Sequence, residues 1–217
     1  MISMIKRSIL VCILLVSSCE APFPLYQLVY DAGIEYSSNL NNDQVSLETL
    51  DSIDYAFISV TLGMGSPQTI MVLSAVDDNI LEWVSEASEK IYTLNGKIIK
   101  TEGLKYDIEI INPQDIPVMS GDYSYTLVSN FYNPDLYFQS QEINIKEKGV
   151  KNIRNNVRNR PNIDANLIIE SLYMKKIFWK TQNKYYFNIE TGSLERTIQN
   201  IHPNYPSITI DFVRKYN

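Results

Sequence analysis

The rhythm of apolar and polar side chains changes twice along the chain. Residues 9–16 form an almost unbroken apolar run, with Lys6 and Arg7 ahead of it. Leu25, Leu28 and Val29 then recur at helical spacing. With Pro24 at a first-turn position and Gly33 as a stop, they predict a short amphipathic helix. Residues 37–46 are rich in Asn and Ser and read as a tether. Ser46 is placed to cap a second short turn through Leu47, Leu50 and Ile53.

From Tyr55 onward the period becomes two. Residues 55–62, 69–76, 80–86, 90–94, 97–101, 123–132, 136–145, 167–174, 177–180, 185–189, 194–197 and 208–213 read as strands. Asn95-Gly96 is the strongest hairpin signal, because both central positions of a tight hairpin turn need positive φ. Asn133-Pro134-Asp135 and Glu190-Thr191-Gly192-Ser193 mark two further hairpins. A sheet built from this many short strands must curl to bury one face and protect its edges. The expectation is a mainly β single domain: an antiparallel meander curled into an open or barrel-like sheet, with one or two short N-terminal helices.

The apolar run at residues 9–16 is too short for a permanent membrane span, which needs about 20 residues. It fits the core of a signal peptide. Behind it stands Val16-Ser17-Ser18-Cys19, an aliphatic residue, two small residues and a cysteine. This is the lipobox pattern of bacterial lipoproteins. Small side chains let the extended backbone enter the signal peptidase, the Cys19 thiol takes a diacylglyceryl group, and the freed amine takes a third acyl chain. Several chains together give a durable anchor where one binds only marginally. Glu20, in place of an inner-membrane-retaining Asp, points to the outer membrane. The expected organisation is a signal peptide over 1–18, a lipidated tether with a short helix over 19–46, and a β domain over 47–217, facing the periplasm.

Cleavage at that point leaves 199 of the 217 residues. It removes Cys12 and two cations, leaving 17 basic against 25 acidic side chains, a net charge of −8. Lipidation uses the last cysteine, which excludes an internal disulfide and thiol catalysis. An acidic chain is a poor general binder of nucleic acid, and no cofactor is expected. His202 is the single histidine and sits in a turn-like segment, where it reads as a surface loop residue, and neither a triad nor a His-rich metal site can be assembled from it. The nearest carboxylate clusters, Asp51/Asp54 and Asp77/Asp78, fall at strand ends where acids ordinarily solvate turns.

Two groups of residues could contact a glycan or a partner. Lys146, Lys148, Lys151, Arg154, Arg158 and Arg160 crowd into fifteen residues with only Glu147 opposing them. They could attract an acidic polysaccharide, lipid phosphates or an acidic partner surface, the plain alternative being a solvated loop between strands. Tyr185 and Tyr186 could stack on sugar rings, but alternation sends them to opposite faces, so at most one meets solvent. Trp83 and Trp179 lie among aliphatics and read as core.

The order of these elements carries a family resemblance. A strand, a Gly/Pro turn and an aliphatic strand lead into Glu82-Trp83-Val84, followed by the hairpin of residues 94–101. Near the end come residues 185–194 and Tyr205-Pro206. From about residue 46 to the C-terminus the chain resembles the group 4 capsule polysaccharide lipoprotein family, of the GfcB/YjbF type. The resemblance implies an outer-membrane lipoprotein with a barrel-like β domain. It implies a role beside other polysaccharide export components, including an outer-membrane β-barrel protein, and no enzyme activity. A non-catalytic accessory role in capsule or exopolysaccharide secretion is therefore the leading expectation. A periplasmic lipid- or glycan-binding carrier is the alternative, and a polysaccharide-acting enzyme the least favoured.

Overall fold

Every strand pairs antiparallel with the next one in sequence, and the last returns to the first, which closes the sheet into a twelve-stranded barrel. The computed structural model describes residues 53–215, apart from 64–65, 156 and 158–159. The strands are β1 (Phe57–Leu62), β2 (Gln68–Asp77), β3 (Ile80–Ser85), β4 (Lys90–Leu94), β5 (Lys97–Glu102), β6 (Ile108–Ile111), β7 (Tyr123–Phe131), β8 (Leu136–Ile153), β9 (Ile163–Met174), β10 (Trp179–Asn188), β11 (Leu194–Gln199) and β12 (Ile208–Arg214). Single 3-10 turns occupy Pro113–Asp115 and Lys175–Ile177. The mainly β expectation holds, and closure settles the choice between an open and a barrel-like sheet. The expected N-terminal helices, and the whole segment before residue 53, lie outside the described residues.

Three strand expectations are corrected. The short β6 reads poorly as a strand, having four residues behind a Lys-Tyr-Asp lead-in. β10 is one continuous strand over residues read as two segments. The polar stretch Thr181-Gln182-Asn183-Lys184 breaks the apolar rhythm, yet Asn183 points inward to a buried carboxylate. β8 runs on to Ile153, through residues expected to form a loop, because it pairs with β9 across a bulge between Glu147 and Val150.

Inward-facing side chains form two apolar lobes. One gathers Ile58, Val60, Met71, Trp83, Ile208 and Ile210. The other gathers Ile110, Leu127, Ile143, Ile145, Ile168 and Leu172. Trp83 is core, as its aliphatic neighbours suggest, and its indole N–H donates to Thr93 Oγ1 at 2.9 Å. Between the lobes the barrel is pinched. β5 and β11 sit opposite each other in the strand order. There the Gln199 side chain accepts from the Ile98 amide (2.9 Å) and donates to the Gly96 carbonyl (2.8 Å). Gly96, at φ +80°, permits this approach: a Cβ there would lie 1.9 Å from Leu194 Cδ2. A third cluster lies outside the wall, where Ile53 and Val157 cover Phe57, Ile70 and Val72.

The meander gives the barrel two distinct ends. The β1–β2, β3–β4, β5–β6, β7–β8, β9–β10 and β11–β12 connections share one end. That end is closed by aromatic packing: His202 stacks on Tyr106 (centroids 4.8 Å apart) and meets Phe131 edge-on (5.4 Å). The chain enters and leaves the barrel at the opposite, mouth end, beside the β2–β3, β4–β5, β6–β7, β8–β9 and β10–β11 connections.

Candidate functional site

Among the described residues, the pinch carries a concentrated cluster of buried polar side chains. Glu170 belongs to the inward row of β9 with Ile168 and Leu172, and Lys97 opens β5 directly after the Asn95-Gly96 turn. Their side chains form an ion pair, 0% and 4% exposed respectively. Glu170 Oε1 also accepts from Tyr125 Oη (2.9 Å), while Oε2 accepts from Asn183 Nδ2 (2.7 Å) and Tyr185 Oη (3.1 Å).

Burial on its own pushes the Glu170 carboxyl up. The Lys97 charge and the hydrogen bonds from Lys97, Asn183 and Tyr125 outweigh it, and the group lies below the usual glutamate range. Burial, then the Glu170 charge, hold the Tyr125 and Tyr185 phenols above their ordinary value, so both remain donors. Both carboxylate oxygens are engaged and shielded from water. The cluster thus acts as a cross-barrel staple rather than an acid or base offered to a substrate. Among the described residues, no three His, Cys, Asp or Glu side chains converge as a metal site would require.

Three concavities surround this staple. At the mouth, Leu81, Trp83, Met119, Phe187, Leu194 and Phe212 line an apolar cavity of about 390 Å³, with Asn79, Asn95 and Lys215 among its polar members. Next to it, Asn155, Arg160, Asn188, Glu195 and Lys215 line a polar cavity of about 240 Å³. Lys215 donates to Glu195 Oε1 (2.6 Å) and Ser193 Oγ (2.8 Å) there. The third is a groove of about 700 Å³ along the wall of β7 to β10. Strand register aligns Ser124, Asn144, Ser171 and Gln182 in one row of that groove, and Thr126, Glu142, Tyr173 and Lys180 in the next. Both rows alternate with the inward-facing Ile143 and Leu172, so they line the outer face. Single residues of this ladder look like ordinary surface positions in the sequence; only the register reveals them as a set.

Of the residues singled out from the sequence, Cys19, Glu20 and Arg158 lie outside the described residues. Lys146, Lys148 and Lys151 do not belong to a loop but ride exposed on β8, held there by pairing with β9. Arg154 is exposed just after β8, and Arg160 reaches the polar cavity at the mouth. Tyr185 is removed as a glycan contact, since it is 0% exposed and serves the staple. Tyr186 faces outward and is half-buried. Register places Tyr186 beside Leu167 and Arg196, one row from Lys146, Ile169 and Lys184. The wall of β8 to β11 thereby unites one tyrosine with several cations. His202 is not a surface residue: it is 2% exposed and plugs the closed end.

The closed antiparallel meander with two packed interior lobes defines the described residues as a mainly β, single-barrel protein with polar surfaces on its wall and rim. The chain belongs to the group 4 capsule polysaccharide lipoprotein family (GfcB, YjbF), whose model matches residues 36–213. The family resemblance read from the sequence is thus confirmed. Among solved structures, the crystal structure of the hypothetical lipoprotein YmcC from Escherichia coli K12 is similar in fold. It has 16% sequence identity and a TM-score of 0.68, covering 87% of this chain and 95% of that one. Comparison with the curated proteins gives no match.

Proposed function

We propose that this protein is a non-catalytic accessory factor in capsule or exopolysaccharide secretion, held by acyl chains on Cys19 at the periplasmic face of the outer membrane. The family match over residues 36–213 carries the reading. The lipobox at residues 16–19 supports the anchor, and Glu20 supports outer-membrane sorting. The polar wall of β7 to β10 and the cations of β8 supply hydroxyl, amide and ammonium groups suited to an acidic glycan or to the outer-membrane export barrel. Deleting the gene and quantifying polymer at the cell surface and inside the envelope tests the proposal. Loss of surface polymer with intracellular accumulation is expected; unchanged surface polymer contradicts it.

The apolar mouth cavity favours one alternative, a carrier of a lipid or a lipid-linked glycan. Its volume of about 390 Å³ falls within the range of small-molecule sites, which favour barrel mouths. Native mass spectrometry of the purified protein separates the two readings. A co-purifying lipid that disappears in a Leu194→Trp variant supports the carrier, and ligand-free protein counts against it.

A further inference from the structure

Two phenylalanines at the closed end stand where folding alone would not put them. Phe138 is 72% exposed and Phe178 is 83% exposed. Both hold left-handed backbone, φ 52° and 53°. That conformation costs an ordinary L-residue about 1–2 kcal/mol and is normally given to Gly or Asn. Identifiable contacts enforce it. The Phe138 amide donates to Asn130 Oδ1 (2.9 Å), and the Phe178 amide donates to the Lys175 carbonyl (3.3 Å) across the Lys175–Ile177 turn. Each ring therefore faces water from a strained position, with little burial to offset the cost.

The two rings share one rim. Glu142 pairs with Tyr173, and extending that antiparallel register four residues brings position 138 opposite position 177. The turn after β9 also packs against β8. Lys175 and Lys176 are exposed within this turn, and Lys180 follows on β10. The nearby acids are Asp135, whose carboxylate accepts from Tyr137 Oη (2.9 Å), and Glu142, which shares a row with Tyr173 and Lys180. Across the same end, the β3–β4 and β5–β6 turns and the strand ends flanking them carry Glu86, Glu89, Glu102, Asp107 and Glu109 against Lys90, Lys100 and Lys105. Among the described residues the exposed phenylalanines, with Lys175 and Lys176 beside them, lie on the β7–β10 side.

We propose that this rim is a second membrane contact: Phe138 and Phe178 enter the interface of an anionic bilayer while Lys175 and Lys176 sit on its phosphates. The pairing of exposed rings with lysines is what an anionic lipid surface recognises. The rim lies at the end opposite the chain's entry at Phe57. From Cys19 to Phe57 the chain has 38 residues, which at roughly 3.3 Å per residue sets an upper bound on its reach of about 125 Å. That exceeds the barrel's height several-fold, so a tethered barrel can lie with this rim on the bilayer. Tethering also raises the local concentration, so a weak contact suffices.

The test uses the full mature chain with Cys19→Ser, which takes no acyl chains. It is co-sedimented with vesicles of phosphatidylcholine alone or mixed with phosphatidylglycerol. Binding to the mixed vesicles is expected, with little to phosphatidylcholine alone. The double variant Phe138→Gly/Phe178→Gly suits the backbone and should keep its melting temperature while losing binding by on the order of tenfold or more. Lys175→Glu/Lys176→Glu should abolish the preference for anionic vesicles. Absence of binding to the mixed vesicles, or binding unaltered by the two glycines, overturns the proposal.

Discussion

Lys97 on β5 and Glu170 on β9, 73 residues apart in sequence, meet as a buried ion pair inside the barrel. Tyr125, Asn183 and Tyr185 complete the shell, and Gln199 ties the same region to β11. One charge without the other would be left in an apolar interior. Lys97→Met should therefore destabilise the barrel by about 3–5 kcal/mol, whereas Lys97→Met combined with Glu170→Leu should recover a large part of that loss. Urea unfolding of the two variants beside the native chain measures the difference. Equal losses would mean that the pair is not coupled.

The same carboxylate gives an acid limit. Its folded pKa is lowered, so its stabilisation is present above the ordinary glutamate value of 4.5 and is lost as pH falls below it toward the folded value. The stability advantage of the native chain over Glu170→Gln should be constant above about pH 5 and shrink steadily below pH 4.5. An advantage that persists unchanged down to pH 3 would contradict the assignment.

His202 sets a second, milder window. Burial depresses its pKa below 6.5, so the folded state favours the neutral ring packed between Tyr106 and Phe131. Its contribution is complete above pH 6.5 and declines as pH drops toward the folded pKa. A His202→Phe variant should show a flatter melting temperature between pH 7 and pH 5 than the native protein. A native-like slope would exclude His202 as its source.

Gly96 should be markedly more sensitive to a side chain than Gly121. Gly96→Ala adds a Cβ against Leu194 on top of the backbone cost of positive φ, for a loss of about 2–3 kcal/mol. Gly121 has positive φ but open space around it, so Gly121→Ala should lose only about 1 kcal/mol. Adding Leu194→Ala to Gly96→Ala tests the steric part, because it removes the clash and leaves the backbone term.

The cations on β8 supply a functional prediction. Reversing Lys146, Lys148 and Lys151 to Glu leaves buried side chains untouched, so stability should change by less than about 0.5 kcal/mol. Surface polymer should fall if the wall contacts an acidic glycan or export partner. Unchanged export by the folded variant would remove these residues from the site.

What the sequence revealed follows from locality. Hairpins announced by Asn95-Gly96, Asn133-Pro134-Asp135 and residues 190–193 all appear at those places, because a turn's backbone demands act within a few residues. Trp83 was legible as core from its neighbours alone. The staple was not. Lys97 follows a tight turn and Glu170 sits among aliphatics, so each reads as a solvated charge until closure brings β5 and β9 together. The polar run 181–184 misled for the same reason: Asn183 is inward because a buried carboxylate needs a donor. The basic stretch of residues 146–151 concealed a strand because its bulge, with Gly149 at φ 74°, hides the two-residue alternation. The strained Phe138 and Phe178 carry no sequence signal, since only backbone geometry sets them apart.

The measurement that bears most directly on the whole account is surface polymer in a deletion strain carrying either the native gene or the Cys19→Ser version, with both proteins confirmed as folded and equally abundant. The native gene is expected to restore surface polymer, and the unlipidated barrel, released into the periplasm, is expected not to. Full restoration by Cys19→Ser would contradict this.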